Sequence, residues 1–192
     1  MVTSNVAAVY KRLYRKKIRT VLLRLTPHDQ KKQSDAVCRQ IIRDPDFRKA
    51  KAVCVYSALP SEVQTRMLMK SVIRSNRKLF LPRVQSKTRS LDIFEVRNLS
   101  RDLKSGSFDI LEPDPVRCRQ AHPDEVDLWI IPGIAFDLQG RRLGRGAGYF
   151  DRFFEKLPKA RKWGLAYRVQ MLPQIPIEDH DVHVDRVIAG GR

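Results

Sequence analysis

Five of the nine glycines fall between Gly133 and Gly148, in the string PGIAFDLQGRRLGRGAGYFD that begins at Pro132. Glycine tolerates positive φ and close backbone approach, so successive N–H groups can turn into one concavity and hold phosphate oxygens. Arg142 and Arg145 are interleaved with those glycines, and a planar guanidinium suits bidentate contact with phosphate. The string opens a helix at Tyr149, whose amino-terminal dipole favours an anion. Asp151 in the first turn fits two readings equally: a carboxylate favoured by the dipole, or a ligand to Mg²⁺ that shares phosphate oxygens. The string as a whole has a second reading, a glycine-rich hairpin with solvated arginines. General phosphate-loop templates do not fit. GxxxxGK[ST] is absent, and Tyr149 occupies the third glycine position of GxGxxG counted from Gly144.

Such a loop needs elements to hold it. A basic helix is expected from about Val6 to Arg24, with Leu13, Ile18, Leu22 and Leu25 as its core-facing stripe. A second helix starts at Thr26-Pro27, where Thr can cap and Pro fits the first helical position, and runs to about Arg43, before Asp44-Pro45. Ala52 to Ser57 reads as a buried strand, followed by a helix from Gln64 to Ser75 with Leu68, Val72 and Ile73 on one side. Lys78 to Pro82 and Leu91 to Val96 are two more strands, the first buried and the second half-exposed by its alternation. Lys104 to Pro123, rich in Pro, Gly and charge, reads as a long surface loop. Leu128 to Ile131 is a buried strand ahead of the glycine string, and a helix covers Tyr149 to Lys156. Trp163 to Tyr167 and Val184 to Ile188 are the last strands. Alternating strands and helices predict a three-layer α/β/α fold with a mostly parallel central sheet, whose ligands sit beyond the carboxyl ends of the strands.

Composition bounds the rest. The 192 residues suit one domain, with 42% hydrophobic and 31% charged residues, as in a folded soluble chain. Apolar runs fall far short of the roughly 20 residues that span a bilayer, so no membrane association is expected. Cys38, Cys54 and Cys118 are odd in number without a CxxC pair, which points to reduced thiols. The 38 Lys and Arg against 21 Asp and Glu leave +17, so anionic partners are expected. No RNP-like string, GXXG loop or zinc-finger spacing accompanies that charge, and no specific nucleic acid is expected. His180-x-x-His183 with Cys118 and His122 lacks a standard zinc spacing, which sets a metal hydrolase aside. The first 28 residues hold seven Lys or Arg and no acid. That composition suits a basic surface helix, and overlaps a mitochondrial targeting segment.

The glycine string resembles the signature of the 5-formyltetrahydrofolate cyclo-ligases, PG-x-x-F-D followed by RLGRG-x-GYYD. Pro132, Gly133, Phe136, Asp137, Gly140, Arg142, Leu143, Gly144, Arg145, Gly146, Gly148, Tyr149 and Asp151 all fit. Ser61-Glu62-Val63-Gln64-Thr65 is similar to the family's DE-x-x-T segment, and Asp181 to Asp185 to its closing D-x-x-x-D. Ala147, Phe150 and Ser61 depart from the pattern. The resemblance implies a cytoplasmic, monomeric ligase using ATP and Mg²⁺ on a 5-formyltetrahydrofolate that carries a polyglutamate tail. It also implies roles. Arg145 and Tyr149 would be catalytic. Lys11, Arg15, Arg142 and Leu143, with Gly144 through Phe150 (Arg145, Gly146, Ala147, Gly148 and Tyr149 between them), would contact the nucleotide. Arg15, Ser57, Glu62, Arg145, Gly146, Ala147, Gly148 and Tyr149 would contact the folate, and Asp151 and Asp181 would hold the metal.

Overall fold

The computed structural model describes residues 4–106, 110–157 and 159–191. Helices α1 (Ser4–Leu22), α2 (Pro27–Arg43) and α3 (Pro45–Lys49) precede strand β1 (Ala52–Val55). Thr26 caps α2 by accepting from the Asp29 amide at 3.1 Å, with Pro27 in the first turn. Asp44 ends α2 as expected and caps α3, which the sequence reading missed, by accepting from the Asp46 amide at 2.9 Å. Helix α4 (Arg66–Arg74) buries Leu68, Met69 and Val72. It starts later than expected because Thr65, just before it, donates its hydroxyl to the Tyr56 carbonyl at 2.7 Å.

Strands β2 (Lys78–Gln85) and β3 (Ser90–Glu95) follow, then β4 (Leu103–Ser105), β5 (Leu111–Pro113) and β6 (Gln120–Ala121). The expected long loop from Lys104 to Pro123 is therefore corrected. It carries three short strands, too short to print an alternation in sequence, and its residues 107–109 lie outside the described residues. The β3 expectation needs a correction too. Its later residues Ile93, Phe94 and Glu95 are all buried, because β6 pairs along its outer side and Arg97 and Arg119 hold the Glu95 carboxylate. Strand β7 (Leu128–Ile131), the hairpin β8 (Ala135–Phe136) and β9 (Arg142–Leu143), helix α5 (Tyr149–Glu155), β10 (Lys162–Ala166) and β11 (Arg186–Ala189) complete the order.

The main sheet runs β11-β10-β7-β1-β2-β3-β6. The first five strands are parallel, and β3 and β6 join antiparallel. Buried residues alternate across it. Val53, Val55, Leu79, Leu81, Leu128 and Ile130 pack with Ile18, Leu22, Val37, Ile41 and Leu68 on one face. Cys54, Phe80, Trp129 and Ile131 pack with Phe136 and Phe154 on the other. This is the expected α/β/α layering. Phe153 and Phe154 of α5 meet Trp129 edge-on at 5.2 and 5.1 Å, and burying the Phe154 ring stabilises by about 2–3 kcal/mol.

On α1 the buried positions are Ala7, Lys11, Ile18 and Leu22, with Tyr14 packed beside them. Leu13 is 54% exposed, which corrects its place in the stripe. The 7-11-14-18-22 spacing is the true helical face, and it carries a lysine.

Candidate functional site

The chain leaves β1 toward β2 on one side and returns through β7 on the other, so the strand order reverses beside β1. Sheets of this kind place ligands at such a crevice, beyond the carboxyl ends of the strands. Segments following β1 (Tyr56, Ser57, Leu59, Glu62) and β7 (Pro132, Gly133) line a cavity of about 390 Å³ there, with Pro82, Val84, Leu91 and Ile110 as apolar walls. Gly144, Arg145, Ala147, Gly148, Tyr149 and Phe150 close it.

A second cavity of about 360 Å³ shares Gly144, Ala147, Gly148 and Asp151 with the first, and apart from Ala8 and Gly146 is otherwise lined by charged or polar side chains: Lys11, Arg15, Arg152, Glu155, Glu178, His180 and Asp181. The glycine loop is thus a partition with an apolar chamber on one side and a charged chamber on the other. Gly146 at φ 108° and Gly148 at φ 67° give the loop its path, which a side chain would strain. A hairpin does form upstream, where β8 and β9 pair around Gly140, but the reading of a hairpin with solvated arginines does not hold, since Arg142 on β9 is buried.

Helix α1 brings its cations to the charged chamber. Lys11 Nζ donates to Glu178 Oε2 at 2.6 Å and also to Asp181 Oδ2. Arg15 Nε donates to the Gly144 carbonyl at 2.9 Å. Burial lowers the Arg15 guanidinium from its ordinary value, with Asp181, Asp151 and Glu178 pulling the other way, and it stays a cation at neutral pH. Arg19, one turn further, reaches the Arg145 carbonyl at 3.5 Å. The sequence reading missed Arg19, although four-residue spacing from Lys11 and Arg15 puts it on their face.

Arg145 is aimed by a carboxylate: its Nε donates to Glu62 Oε1 at 2.9 Å, and its Nη2 to Ser61 Oγ at 3.2 Å. Glu62 is 5% exposed and accepts from the Leu59 amide through its other oxygen at 3.0 Å. Ser61, which replaces the family's acid, still holds the guanidinium. Ser57 donates to the Leu111 carbonyl at 2.5 Å at the rim of the apolar chamber.

Arg142 sits differently from its expected role. It is 4% exposed and lines the apolar chamber. Its Nη2 donates to Asp151 Oδ1 at 2.5 Å and its Nη1 to the Pro132 carbonyl at 3.1 Å. Its Nε is the one buried side-chain polar atom without a hydrogen-bond partner among the described residues. Leu143 is likewise a core residue, 1% exposed. Burial alone would raise the Asp151 carboxyl, but the charge and hydrogen bond of Arg142 and the Val182 amide hold it below its ordinary value.

Asp151 and Asp181 both line the charged chamber. The sequence reading missed Glu178. Its carboxylate, His180 and the Asp181 carboxylate have ligand atoms within 4.8 Å of one another. Two carboxylates beside the glycine loop are the donor type that suits a hard cation such as Mg²⁺, which binds through one or two carboxylates and completes its shell with water and phosphate oxygens; in this structure the Lys11 ammonium bridges them. His183 is exposed, and Cys118 is buried with its thiol on the Asp102 carbonyl, so neither joins His180. No helix among the described residues is long and apolar enough to cross a membrane.

Comparison with known proteins identifies the family and the fold. The model of the 5-formyltetrahydrofolate cyclo-ligase family matches residues 7–190. A mitochondrial 5-formyltetrahydrofolate cyclo-ligase of Arabidopsis thaliana is 30% identical, over 93% of this chain and 73% of its own length. The mouse 5-formyltetrahydrofolate cyclo-ligase is 28% identical, over 93% and 92%. Among solved structures, the 5,10-methenyltetrahydrofolate synthetase of Aquifex aeolicus superposes with a TM-score of 0.82 at 32% identity, covering 93% of this chain and 89% of that one. A Mycoplasma pneumoniae synthetase shares the fold, with a TM-score of 0.74 at 20% identity.

Proposed function

The chain belongs to the 5-formyltetrahydrofolate cyclo-ligase family, and from that premise we propose that it converts 5-formyltetrahydrofolate and ATP into 5,10-methenyltetrahydrofolate, ADP and phosphate. The observation that carries this reading is the partition: one loop, Gly144 to Gly148, walls both an apolar and a charged chamber. A flat, mostly apolar pterin suits the first. A triphosphate suits the second.

A formamide oxygen is a poor leaving group, so the N10 amine cannot expel it unaided. Transfer of the γ-phosphoryl group to that oxygen releases ADP and creates a group that departs as phosphate. N10 attacks the formyl carbon, loses its proton and closes the five-membered ring. Such a reaction asks for positioning and charge neutralisation. Arg145, aimed by Glu62, and the loop amides stabilise the transferring phosphoryl group. Lys11 and Arg15 hold the triphosphate, with Ala147 lining its path; Phe150, expected at the nucleotide, instead lines the apolar chamber. Arg142 acts from beneath, by fixing Asp151 and the Pro132 turn. Tyr149, Ser57 and Glu62 border the folate. Mg²⁺ held by Asp181 and Glu178, with Asp151 nearby, would supply charge compensation for the phosphate oxygens.

The family match along residues 7–190 supports one domain, and both chambers are built within one chain, which suits a monomer. Part of the +17 would steer a polyglutamate tail toward the cleft. Action in the cytoplasm is the accompanying proposal. Helix α1 carries Lys11 and Arg15 and buries Ile18 and Leu22, so cleavage after it would remove part of the site and of the core.

The test mixes protein, MgATP and 5-formyltetrahydrofolate and follows methenyl absorbance, beside an ATP-free sample and Arg145→Ala. ATP-dependent turnover that falls by about 10²–10³ in the variant is expected. Absence of turnover by folded, ATP-binding protein would overturn the assignment.

A further inference from the structure

Among the described residues, three carboxylates line the apolar chamber: Glu62, Asp151 and Glu112. Two are already committed, Glu62 to Arg145 and the Leu59 amide, and Asp151 to Arg142 and the Val182 amide. Glu112, on β5, is not. It is 4% exposed, yet its carboxylate accepts no hydrogen bond among the described residues. Its nearest charged neighbour is Arg83, whose Nε lies 3.9 Å from Oε2, and Arg83 directs its Nη1 to the Pro113 carbonyl at 3.3 Å instead. Gly106 makes room for the carboxylate, since a Cβ there would fall 2.3 Å from Oε2.

Neither Glu112 oxygen is sealed from the chamber, so a carboxylate that accepts no hydrogen bond from its own protein stays open to a donor there. A chamber wall that keeps such a group is built for a donor that arrives with the ligand. We infer that Glu112 reads the aminopyrimidinone edge of the pterin. That edge presents two coplanar donors, the ring N3–H and the exocyclic 2-amino group, spaced to meet the two oxygens of one carboxylate. Pro82, Val84, Leu91 and Ile110 would then flank the ring faces. With that edge fixed, the opposite end of the ring, bearing N5 and its formyl group, is left to the glycine loop. Glu112 on this view selects the substrate and sets its register, and is a positioning residue for the phosphoryl step.

The inference rests on the folate reading and can fail separately from it. The test compares wild type with Glu112→Gln, an isosteric change, on 5-formyltetrahydrofolate and on its 2-desamino-2-methyl analogue, recording kcat and KM for the folate and KM for ATP. Wild type is expected to disfavour the analogue by about a hundredfold in kcat/KM, because the carboxylate would meet one donor fewer and a methyl group in its place. Glu112→Gln is expected to raise KM for the natural folate by roughly tenfold or more, to leave KM for ATP unchanged, and to shrink the penalty for the analogue to a few-fold. That non-additivity is what a purely structural role for Glu112 would not produce. Wild type handling both folates equally, or Glu112→Gln keeping full discrimination, would overturn the inference while leaving the folate reading intact. No turnover of 5-formyltetrahydrofolate by wild type would overturn both.

Discussion

Lys11 and Asp181 stand 170 positions apart in the chain and share an ion pair, with Glu178 Oε2 2.6 Å from the same ammonium. The amino-terminal helix and the carboxyl-terminal segment are tied at the charged chamber by this one lysine, which is 3% exposed.

Replacing Lys11 by Met should therefore cost about 3 kcal/mol, the usual scale for removing one member of a buried pair. Without the ammonium, Glu178 and Asp181 repel each other, and a divalent cation can take its place. Millimolar Mg²⁺ should raise the melting temperature of the variant more than that of wild type, at matched ionic strength. Equal shifts would show that the two acids do not form a cation site.

Ala147 is exposed and lines both chambers. Ala147→Lys should lower KM for ATP several-fold, on the order of 1 kcal/mol of added phosphate contact. The melting temperature should stay within a degree or so, since nothing buried changes.

Asp151 gives the fold an acid dependence. Burial favours its neutral form, but Arg142 outweighs that and holds the folded carboxyl below the ordinary value of 3.8. A depressed folded value means the stabilisation is complete above the unfolded value and is lost as pH falls through the folded one. As pH falls below the ordinary carboxyl value, wild type should lose more stability than Asp151→Asn does. Urea midpoints across that range would decide it, and parallel curves would remove Asp151 from the account.

Cys38, Cys54 and Cys118 are all buried, and burial pushes the Cys38 thiol up to about 12. Thiol reagents near pH 8 should modify none of the three within the lifetime of the native state, and all three in denaturant. Rapid native labelling at any of them would contradict the packing described.

Much of this was legible in the amino-acid order. The α/β alternation, the capped start of α2, the buried strands at Ala52 and Leu128 and the glycine loop all rest on local signals: apolar period, cap chemistry and glycine spacing. Three regions were not. The strands within 103–121 are two or three residues long, and pairing across the sheet creates them. The face of α1 was misjudged at Leu13, because the helix buries a lysine where a sequence pattern looks for an apolar residue. Glu112 had no signal, lying in a stretch that reads as charged loop.

The sequence alone thus determined the type of fold, the phosphate-cradling loop and the family, because each is written in residues close along the chain. Tertiary structure decided what each charge is for. Arg142 and Arg145 are three residues apart in one motif, yet one is sealed against Asp151 under the loop and the other is aimed across it by Glu62. Those roles depend on desolvation and on partners brought from distant segments, and neither exists until the sheet has folded.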